Sequence, residues 1–321
     1  MNSRQRFQET MAYGQPDRPP YFEEGIRDDV IRAWQQQGMP AGKTPSELFG
    51  IDKREEIMLE VEPLPWPKEW PTSMAGLGIL RDRLDPLDDE RLPAGWPDVI
   101  AEWRTRDYPV LIRVHRGFFQ TLGVGDWRRF EDVIYLVKDD PIFVQELLNM
   151  QGIFVARLLE RLLAEVTIDG AIFSEAIAGN SGPLISPAMY EKFALASYEP
   201  ILEVLRRQGV ETIIARTYAN TRLLLPSFVK WGFNCLWACE TAGAMGYADI
   251  RREYGPDLRL IAGIDTDALR GDKETIRREV EEKVPPLLAG GGYIPLADGR
   301  IRAAIPYENY VYYRQLLEQI L

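Results

Sequence analysis

The sequence predicts an α/β fold in which parallel strands alternate with helices. From about residue 108, short runs rich in β-forming residues alternate with amphipathic helical stretches, which is typical of parallel βα units. A strand recurs roughly every 25 to 40 residues, and this spacing favours a barrel or a doubly wound sheet. The chain of 321 residues suits one α/β barrel, which needs about 250 residues.

The elements follow from local patterns. A serine before a proline at residues 186–187 predicts a helix that runs towards residue 208, with a kink at Pro200. A second helix is predicted from Thr275 to Leu288. The predicted strands are 19–23, 109–115, 169–175, 211–218, 233–239, 258–263 and 292–297.

Residues 40–107 have a different composition, rich in Pro, Trp and Asp. Loops and an irregular excursion are expected there, inside a single domain of residues 1–321. The segment from Trp66 to Trp70 could form a lid or a dimer contact, and the sequence does not choose between the two.

Charge and hydropathy exclude several classes of function. The net charge of −11 argues against nonspecific nucleic-acid or anionic-membrane binding, because both need a basic surface. No apolar stretch reaches the roughly 18 residues of a membrane span. Residues 1–7 lack the apolar core of a secretory signal, so a cytoplasmic location is expected. An anionic substrate would need a local cluster of arginines.

Cysteine and histidine counts argue against most metal sites. Cys235 and Cys239 stand alone in a C-x₃-C spacing, and His115 is the only histidine. The two cysteines share one face of a predicted strand with aromatic residues, which favours packing roles. Cys239 with Glu240 is an open candidate for a metal, and neither a metal nor a cofactor is predicted.

Candidate site residues lie at the ends of the predicted strands. Arg216 and Tyr218 share one strand face, and an arginine and a phenol there suit a carboxylate or phosphate on a substrate. Glu175 and Glu240 each follow a strand and should face the same end of a barrel. They could act as general acid and base, or one could form a structural ion pair with Arg216.

His115 ends another predicted strand and is an acid/base candidate, because an unperturbed imidazole titrates near neutrality. The alternative is a structural histidine held by hydrogen bonds. The neighbouring Arg116 and Phe119 could supply an anion contact and an aromatic wall. Arg300 and Arg302 would add to a positive cluster, or they are two solvated loop residues.

Several segments together resemble the uroporphyrinogen decarboxylase family. The resemblance extends over almost the whole chain and is carried by four sets of motifs. These are Gly14-Gln15-Pro16-Asp17-Arg18-Pro19-Pro20, Gly182-Pro183-Leu184-Ile185-Ser186-Pro187, Ala262-Gly263-Ile264-Asp265, and Gly290-Gly291-Gly292-Tyr293-Ile294-Pro295 with Pro306-Tyr307-Glu308-Asn309-Tyr310.

The resemblance implies a distorted (β/α)₈ barrel of the TIM type, with an N-terminal irregular excursion and its pocket at the carboxyl ends of the strands. It also implies that Asp265 and Asp298 line that pocket, although a turn aspartate is the alternative reading, and that dimers are common. Two departures matter. The arginine-rich segment of the decarboxylases is replaced by the more acidic residues 23–29, and the His-x-Cys zinc motif of the methyltransferases by Arg216 and Tyr218.

The leading hypothesis is metal-independent, decarboxylation-type chemistry on a small carboxylated substrate that is not authentic uroporphyrinogen III. One alternative is a methyltransferase or demethylase component that works with a cobamide-binding protein, and another is a non-catalytic ligand-binding barrel. The loop at 296–305 is a candidate lid. The predicted catalytic residues are His115, Glu175, Tyr218, Asp265 and Asp298. The predicted substrate-binding residues are Arg116, Phe119, Arg216, Asn220, Glu240, Arg300 and Arg302.

Overall fold

A parallel sheet of seven strands forms the centre of the computed structural model, which describes residues 1–241 and 244–321. The sheet order is β1-β2-β3-β6-β7-β8-β9, and β4 pairs with β5 in a separate antiparallel hairpin. The strands are β1 (Glu55–Met58), β2 (Val110–His115), β3 (Gly170–Glu175), β4 (Ala178–Gly179), β5 (Gly182–Pro183), β6 (Ile213–Tyr218), β7 (Cys235–Cys239), β8 (Arg259–Ala262) and β9 (Tyr293–Ile294).

Helices occupy most of the segments between the strands. They are α1 (Ser3–Met11), α2 (Asp28–Gln36), α3 (Pro45–Phe49), α4 (Leu77–Arg81), α5 (Trp96–Thr105), α6 (Phe118–Thr121), α7 (Trp127–Asp139), α8 (Pro141–Leu163), α9 (Pro187–Tyr190), α10 (Ala196–Arg207), α11 (Leu225–Lys230), α12 (Tyr247–Tyr254), α13 (Lys273–Ala289) and α14 (Tyr307–Ile320).

The predicted helices are confirmed. The Ser186 side chain accepts a hydrogen bond from the Met189 backbone N–H and caps α9, and α13 covers the predicted second helix. A π-helical turn at Glu191–Leu195 joins α9 to α10, so the irregularity lies just before Pro200.

Six predicted strands are confirmed, from 109–115 onwards, and two calls need correction. Residues 19–23 form no strand, although the Tyr21 carbonyl accepts a hydrogen bond from Asp52 N, three residues before β1. The excursion at 40–107 contains β1, which pairs in parallel with β2 from Glu55 opposite Val110. The Pro- and Trp-rich composition of the segment gave no indication of this strand of four residues.

The sheet curls around its own interior but does not close by continuous strand pairing. Residues 21–26 lie in the gap, where the Tyr21 carbonyl accepts a hydrogen bond from Asp52 N (3.0 Å) and the Gly25 carbonyl accepts one from Ile301 N (3.0 Å). Side chains of α1 reach the same interior. The interior apolar cluster consists of Phe7, Met11, Phe22, Leu111, Ile172, Ile214, Cys235, Trp237, Cys239, Ile261, Ala262, Ile294 and Leu296.

Helix α8 is, within the described parts of the chain, the one helix long and apolar enough to cross a membrane. Most of its apolar window is buried in the protein, and it packs against α10 and β2. A core helix accounts for the same composition. The fold is thus a globular α/β structure with this helix in its core.

A cavity of about 470 Å³ lies at the amino ends of the strands, beside α1. Its most buried charge is Asp169, which accepts hydrogen bonds from Arg4 Nε (2.8 Å), Gln8 Nε2 (2.9 Å) and Arg106 Nη2 (2.8 Å). The carboxylate is therefore saturated by the protein. In barrel folds this end contributes stability, whereas chemistry lies at the carboxyl ends of the strands.

Candidate functional site

Strained backbone marks the carboxyl ends of three neighbouring strands. Ala219 follows β6 with φ 57°, Glu240 follows β7 with φ 49°, and Ala262 ends β8 with φ 82°. Left-handed backbone at a non-glycine residue costs on the order of 1 kcal/mol or more and concentrates at functional sites. Three such residues at one edge of the sheet identify this edge as the candidate site.

Arg216 forms a two-point ion pair inside the curled sheet, but its partner is neither Glu175 nor Glu240. Its Nη1 and Nη2 donate to Glu56 Oε1 (2.6 Å) and Oε2 (2.7 Å). Glu56 also accepts from Arg113 Nη2 at 2.5 Å. Arg216 therefore forms a structural ion pair, as the alternative prediction had it, but its partner is a residue of β1.

Two guanidinium groups contact the indole ring of Trp237. The guanidinium carbon of Arg216 is 3.8 Å from the indole centroid and that of Arg54 is 4.8 Å from it, so both cations contact the π-face. Glu24 Oε2 lies 3.8 Å from Arg54 Nη2 and 3.9 Å from Arg216 Nη2. We call the following six residues the interior charged cluster: Glu24, Arg54, Glu56, Arg113, Arg216 and Trp237.

The interior charged cluster has one positive charge in excess, because three guanidinium groups face two carboxylates. Its polar atoms are also incompletely paired. The buried atoms Arg54 Nη1, Arg113 Nε, Arg216 Nε, Trp237 Nε1 and Glu24 Oε2 have no hydrogen-bond partner among the described residues. Buried polar groups are normally paired, so unpartnered donors beside a net positive charge favour an anionic ligand.

Solvent reaches one side of this cluster. The side chain of Arg113 is 25% exposed and that of Glu56 is 19% exposed, whereas Arg216 is only 2% exposed. Burial would raise the pKa of Glu56, but hydrogen bonds and charge from Arg216, with the charges of Arg54 and Arg113, lower it to about 2. The ion pair therefore persists throughout the neutral range.

A second cavity, of about 210 Å³, lies at the carboxyl ends of β7 to β9. Four predicted site residues line it: Glu240, Asp265, Asp298 and Arg302. The structure thus brings these four together, and it places Arg216 in the interior charged cluster instead.

Asp298 holds the strand ends together. Its Oδ2 accepts from the backbone N–H and the hydroxyl of Thr241 (both 3.0 Å), and its Oδ1 accepts from the same groups of Thr266 (both 3.1 Å). Four donors occupy the carboxylate, which is 2% exposed. Asp265 is freer: among residues 1–241 and 244–321, its side chain accepts only the turn hydrogen bond from Asp267 N at 2.8 Å. Both aspartates therefore form the turn and strand-end hydrogen bonds that were the alternative to a role in a substrate pocket.

The surface groups at this edge form weak contacts. Arg302 Nη2 pairs with Glu240 Oε1 at 2.7 Å, and both side chains are more than half exposed, so the pair contributes little stability. Arg300 is exposed. Asn220 Oδ1 accepts from Arg222 N at 3.2 Å and caps the turn after β6. The 296–305 loop is anchored by the backbone bridge between Ile301 and Ile26.

Glu175 lies on the opposite face of the sheet. Its Oε2 accepts from the hydroxyls of Tyr190 (2.8 Å) and Tyr198 (2.7 Å), and its Oε1 accepts from Phe118 N (2.8 Å). Burial raises its pKa, and the three donors counteract that rise only in part. The expectation that Glu175 and Glu240 face the same barrel opening is wrong, because successive residues of β3 alternate in direction and Ile172 points into the interior.

His115 also turns away from the interior. The pairing of β2 with β3 shifts register between Arg113 and His115, so the ring packs 4.3 Å from that of Tyr198. Gly117 N donates to Nδ1 at 2.9 Å, which places the proton of the neutral ring on Nε2. Burial lowers the pKa of His115 to about 3. His115 is therefore a buried, hydrogen-bonded structural histidine, which was the alternative to an acid/base role.

Arg116 and Phe119 lie with His115 and not with Arg216. Arg116 pairs with Glu62 of the excursion. Phe119 is buried between the rings of Phe118 and Phe130, both at 5.1 Å, so it belongs to the layer between sheet and helices. Neither residue contributes to the two cavities at the strand ends.

Tyr218 and Cys239 lie at the outer end of the interior. Burial raises the pKa of the Tyr218 phenol, which stays neutral at physiological pH. Burial, with the charge of Glu24, raises the pKa of the Cys239 thiol. A thiol of this kind is a poor metal ligand because metals bind the thiolate. The residues in 1–241 and 244–321 contain no group of three His, Cys, Asp or Glu side chains placed to share a metal ion.

Sequence reasoning missed five of the six residues of the interior charged cluster. Arg113 gave a usable signal, because an arginine inside the apolar strand 109–115 resembles Arg216 in its own strand. Arg54 directly precedes β1 and Glu56 lies within it, but this strand was assigned to the irregular excursion. Glu24 was noted only as part of the acidic segment 23–29, and Trp237 was assigned to packing.

Comparisons with known proteins add no family assignment. No protein-family model matches the sequence. No curated protein sequence matches it significantly. The resemblance to the uroporphyrinogen decarboxylases therefore stays a prediction from the motifs.

Proposed function

We propose that this protein binds a small carboxylated substrate at the interior charged cluster and acts on it by metal-independent, decarboxylation-type chemistry. The observation that carries the proposal is the excess positive charge of this cluster together with its unpartnered N–H groups. The fold proposed with it is a distorted (β/α)₈ barrel, in which residues 21–26 take the place of a strand. A cytoplasmic location belongs to the same proposal.

The charge balance favours a carboxylate over a phosphate. One carboxylate neutralises the single excess positive charge, whereas a phosphate dianion would leave the buried cluster negative. Guanidinium groups match the planar carboxylate in geometry. Arg54 Nη1 and Arg113 Nε are available donors, since neither has a partner among the described residues. A porphyrinogen with many carboxylates would require a larger number of free cations.

The chemistry proposed for the bound acid is loss of carbon dioxide followed by protonation. The bond between the carboxylate carbon and its neighbour breaks, its electron pair stays on the substrate, and a proton then replaces the lost carbon dioxide. In the metal-independent reaction the substrate itself must delocalise that electron pair. Tyr218 is the proposed proton donor, and water returns the proton to its phenolate. Its face of β6 is shared with Arg216.

A second candidate function is ligand binding without catalysis. It is favoured by the engagement of predicted catalytic groups in structural contacts: Asp298 accepts four hydrogen bonds, and Glu175 accepts three. No specific contact favours the cobamide-associated methyltransferase, whose acceptor site needs a different activating group.

The test pairs Arg113→Gln with Arg128→Gln, an exposed arginine that serves as the control. A panel of small carboxylic acids is screened for binding by thermal shift, and acids that bind are assayed for release of carbon dioxide. We expect Arg113→Gln to weaken binding roughly tenfold or more, because it removes a charged hydrogen-bond donor, and Arg128→Gln to change nothing.

Three outcomes have distinct meanings. Acids that bind equally well to Arg113→Gln and wild type would place the anion site elsewhere. Binding without carbon dioxide release would support the non-catalytic candidate. Near-stoichiometric zinc in the purified protein, measured by plasma mass spectrometry, would contradict the metal-independent mechanism and favour methyl transfer.

A further inference from the structure

We infer that the cavity at the amino ends of the strands binds a small zwitterion with an apolar body, the chemical class of the α-amino acids. Its volume of about 470 Å³ is that of a ligand pocket, since such pockets measure about 300 to 1,000 Å³. The cavity lies at the end of the sheet opposite the candidate site. This inference therefore does not depend on the proposed function.

Helix α1 forms one wall of the cavity and is fixed at both ends. Near its start, Arg4 N donates to Asp107 O at 2.9 Å and Arg4 Nε donates to Asp169 Oδ1 at 2.8 Å. At its end, the Met11 carbonyl accepts from Arg259 Nε at 2.7 Å. The helix thus crosses about 10 Å between the start of β3 and the start of β8. This wall is held in place before a ligand arrives.

Apolar side chains form much of the cavity surface. Phe7 and Met11 line it from α1, and Leu163, Val166 and Val210 line it from the segments that lead into β3 and β6. All five are buried in the protein. An apolar group placed against them would gain roughly 25 cal/mol for each Å² removed from water. The cavity therefore suits a ligand with an apolar body.

Arg259 supplies a positive charge that forms no ion pair with an acidic residue in 1–241 or 244–321. Within these residues only its Nε donates a hydrogen bond, to Met11, so both Nη groups are available to a ligand. Its guanidinium carbon lies 5.1 Å from the ring centroid of Tyr13, a contact that helps to hold the group at the wall. A guanidinium group binds a carboxylate through parallel hydrogen bonds. Arg259 is thus the proposed partner of the ligand carboxylate.

Glu211 supplies the opposite charge. Its backbone carbonyl accepts from Asn234 Nδ2 at 2.7 Å, but its carboxylate has no partner in the part of the chain that the structure describes. The other carboxylates of the cavity are less available. Asp169 is saturated, and Glu9 turns back over Gly14. Glu211 is therefore the proposed partner of the ligand ammonium group.

The spacing of Arg259 and Glu211 suits a bridging molecule. Strand register places Ile214, Cys235 and Arg259 side by side, and Glu211 precedes Ile214 by three residues. The Cα atoms of Glu211 and Arg259 are thus about 14 Å apart, from two strand spacings and three residue rises. Both side chains line the cavity, yet they form no ion pair. An α-amino acid with a hydrogen bond of about 3 Å at each charged end bridges a gap of roughly 6 to 9 Å.

Charge balance favours a zwitterion over a simple acid or amine. The charged side chains that line the cavity, with the Arg106 partner of Asp169, are Arg4, Glu9, Arg106, Asp169, Glu211 and Arg259. Three positive charges thus face three negative ones. A zwitterion preserves this balance and pairs with both free groups. An acid or an amine alone would leave Glu211 or Arg259 without a partner.

The test compares L-leucine and L-phenylalanine with analogues that lack one of the two charges. The acids 4-methylpentanoate and 3-phenylpropionate lack the ammonium group, and the amines 3-methylbutylamine and 2-phenylethylamine lack the carboxylate. Dissociation constants are measured by titration calorimetry for wild type, Arg259→Gln and Glu211→Gln. Arg128→Gln and Glu203→Gln remove the same charges at exposed positions outside the cavity and serve as matched controls.

We expect wild type and both controls to bind at least one of the two amino acids about tenfold or more tightly than either of its analogues. We expect Arg259→Gln and Glu211→Gln each to weaken this binding about tenfold or more, because each removes a charged partner. Arg113→Gln should bind as wild type does, since it alters only the interior charged cluster. Circular dichroism shows whether the variants are folded, and the exposed Glu211→Gln decides the question if Arg259→Gln is not.

Four results would overturn the inference: equal binding of an amino acid and its acid analogue, no effect of Glu211→Gln, no binding of either amino acid to wild type, or loss of binding in Arg113→Gln alone. The last result would place the ligand in the interior charged cluster. The proposed function is tested separately, because it depends on Arg113 and on release of carbon dioxide and not on Arg259 or Glu211.

Discussion

Arg216 of β6 and Glu56 of β1 are joined across the interior of the sheet by two hydrogen bonds, of 2.6 and 2.7 Å, between residues 160 positions apart in the sequence. Their strands are not neighbours in the sheet order. The pair therefore links the two sides of the curl. Because Arg216 is almost fully buried, this link depends on Glu56 for charge balance.

We predict that Glu56→Gln destabilises the protein by roughly 3 kcal/mol at pH 7, since a buried guanidinium then loses its charged partner. Urea denaturation measures the free energy of unfolding. The control is Glu203→Gln, an exposed residue of α10, for which a change within about 0.5 kcal/mol is expected. Equal stability of the two variants would contradict the structural importance of the pair.

The same pair predicts a pH dependence. The pKa of Glu56 is about 2 in the folded protein, against an ordinary value of 4.5. The stabilisation by its ionised form is thus complete above about pH 4.5 and is lost as the pH falls towards 2. The stability difference between wild type and Glu56→Gln should therefore shrink over this acidic window and stay constant above it.

The sequence predicted the fold class and most strands because their apolar residues repeat with clear periods and their ends carry Gly and Pro. It could not predict the partner of Arg216. Ion pairs across the interior depend on strand order and curvature, which local patterns do not encode. Glu56 also lies in a strand of only four residues beside a region rich in Pro and Trp.

The predicted site residues lie close together only where their side chains point to the same face of the sheet. Glu175 has the same parity as Phe173 on β3, and Phe173 packs in the outer core, so counting along the strand could have placed the carboxylate outside. His115 has the parity of Leu111, which points inwards, and only the register shift before it reverses its direction. A shift of this kind depends on pairing with a neighbouring strand and has no local sequence signature.

We predict that His115 does not titrate between pH 8 and 5 in the folded protein, because burial lowers its pKa to about 3. It is the only histidine, so the signals of its two ring C–H protons can be assigned without ambiguity. The urea-unfolded chain is the control and should titrate near 6.5. Since only the unfolded chain binds this proton between about pH 6.5 and 3, stability should fall as the pH decreases through that window.

A folded-state titration near neutrality would show that the ring is open to solvent. It would then restore His115 as a candidate acid or base at the site.

We predict that Asp298→Asn destabilises the protein by about 3 kcal/mol, because an amide has one acceptor oxygen where the carboxylate has two. The –NH₂ group would face donors of Thr241 or Thr266, which now bond to the carboxylate at 3.0 to 3.1 Å. Urea denaturation gives the change. The control is Asp267→Asn on the exposed turn nearby, where a change within about 0.5 kcal/mol is expected. Similar losses in both variants would indicate that the strand ends do not depend on Asp298.

We predict that the packing of Trp70 against Gly123 anchors the excursion at residues 40–107. Gly123 has φ +80°, and a Cβ there would lie 2.4 Å from the ring of Trp70. Trp70 in turn contacts Trp66 with ring centroids 5.1 Å apart, and Trp66 is 56% exposed. Trp70 is therefore a packing anchor, and only Trp66 is free at the surface.

We predict that Gly123→Ala destabilises the protein by about 2 kcal/mol, because it combines backbone strain at positive φ with displacement of the indole ring. Gly125→Ala is the matched control two residues away, since no atom lies within 4 Å of its Cβ position. Urea denaturation should separate the two variants, and near-ultraviolet circular dichroism should report the altered tryptophan environment in Gly123→Ala alone. If both substitutions are neutral, the contact between Trp70 and Gly123 does not anchor the excursion.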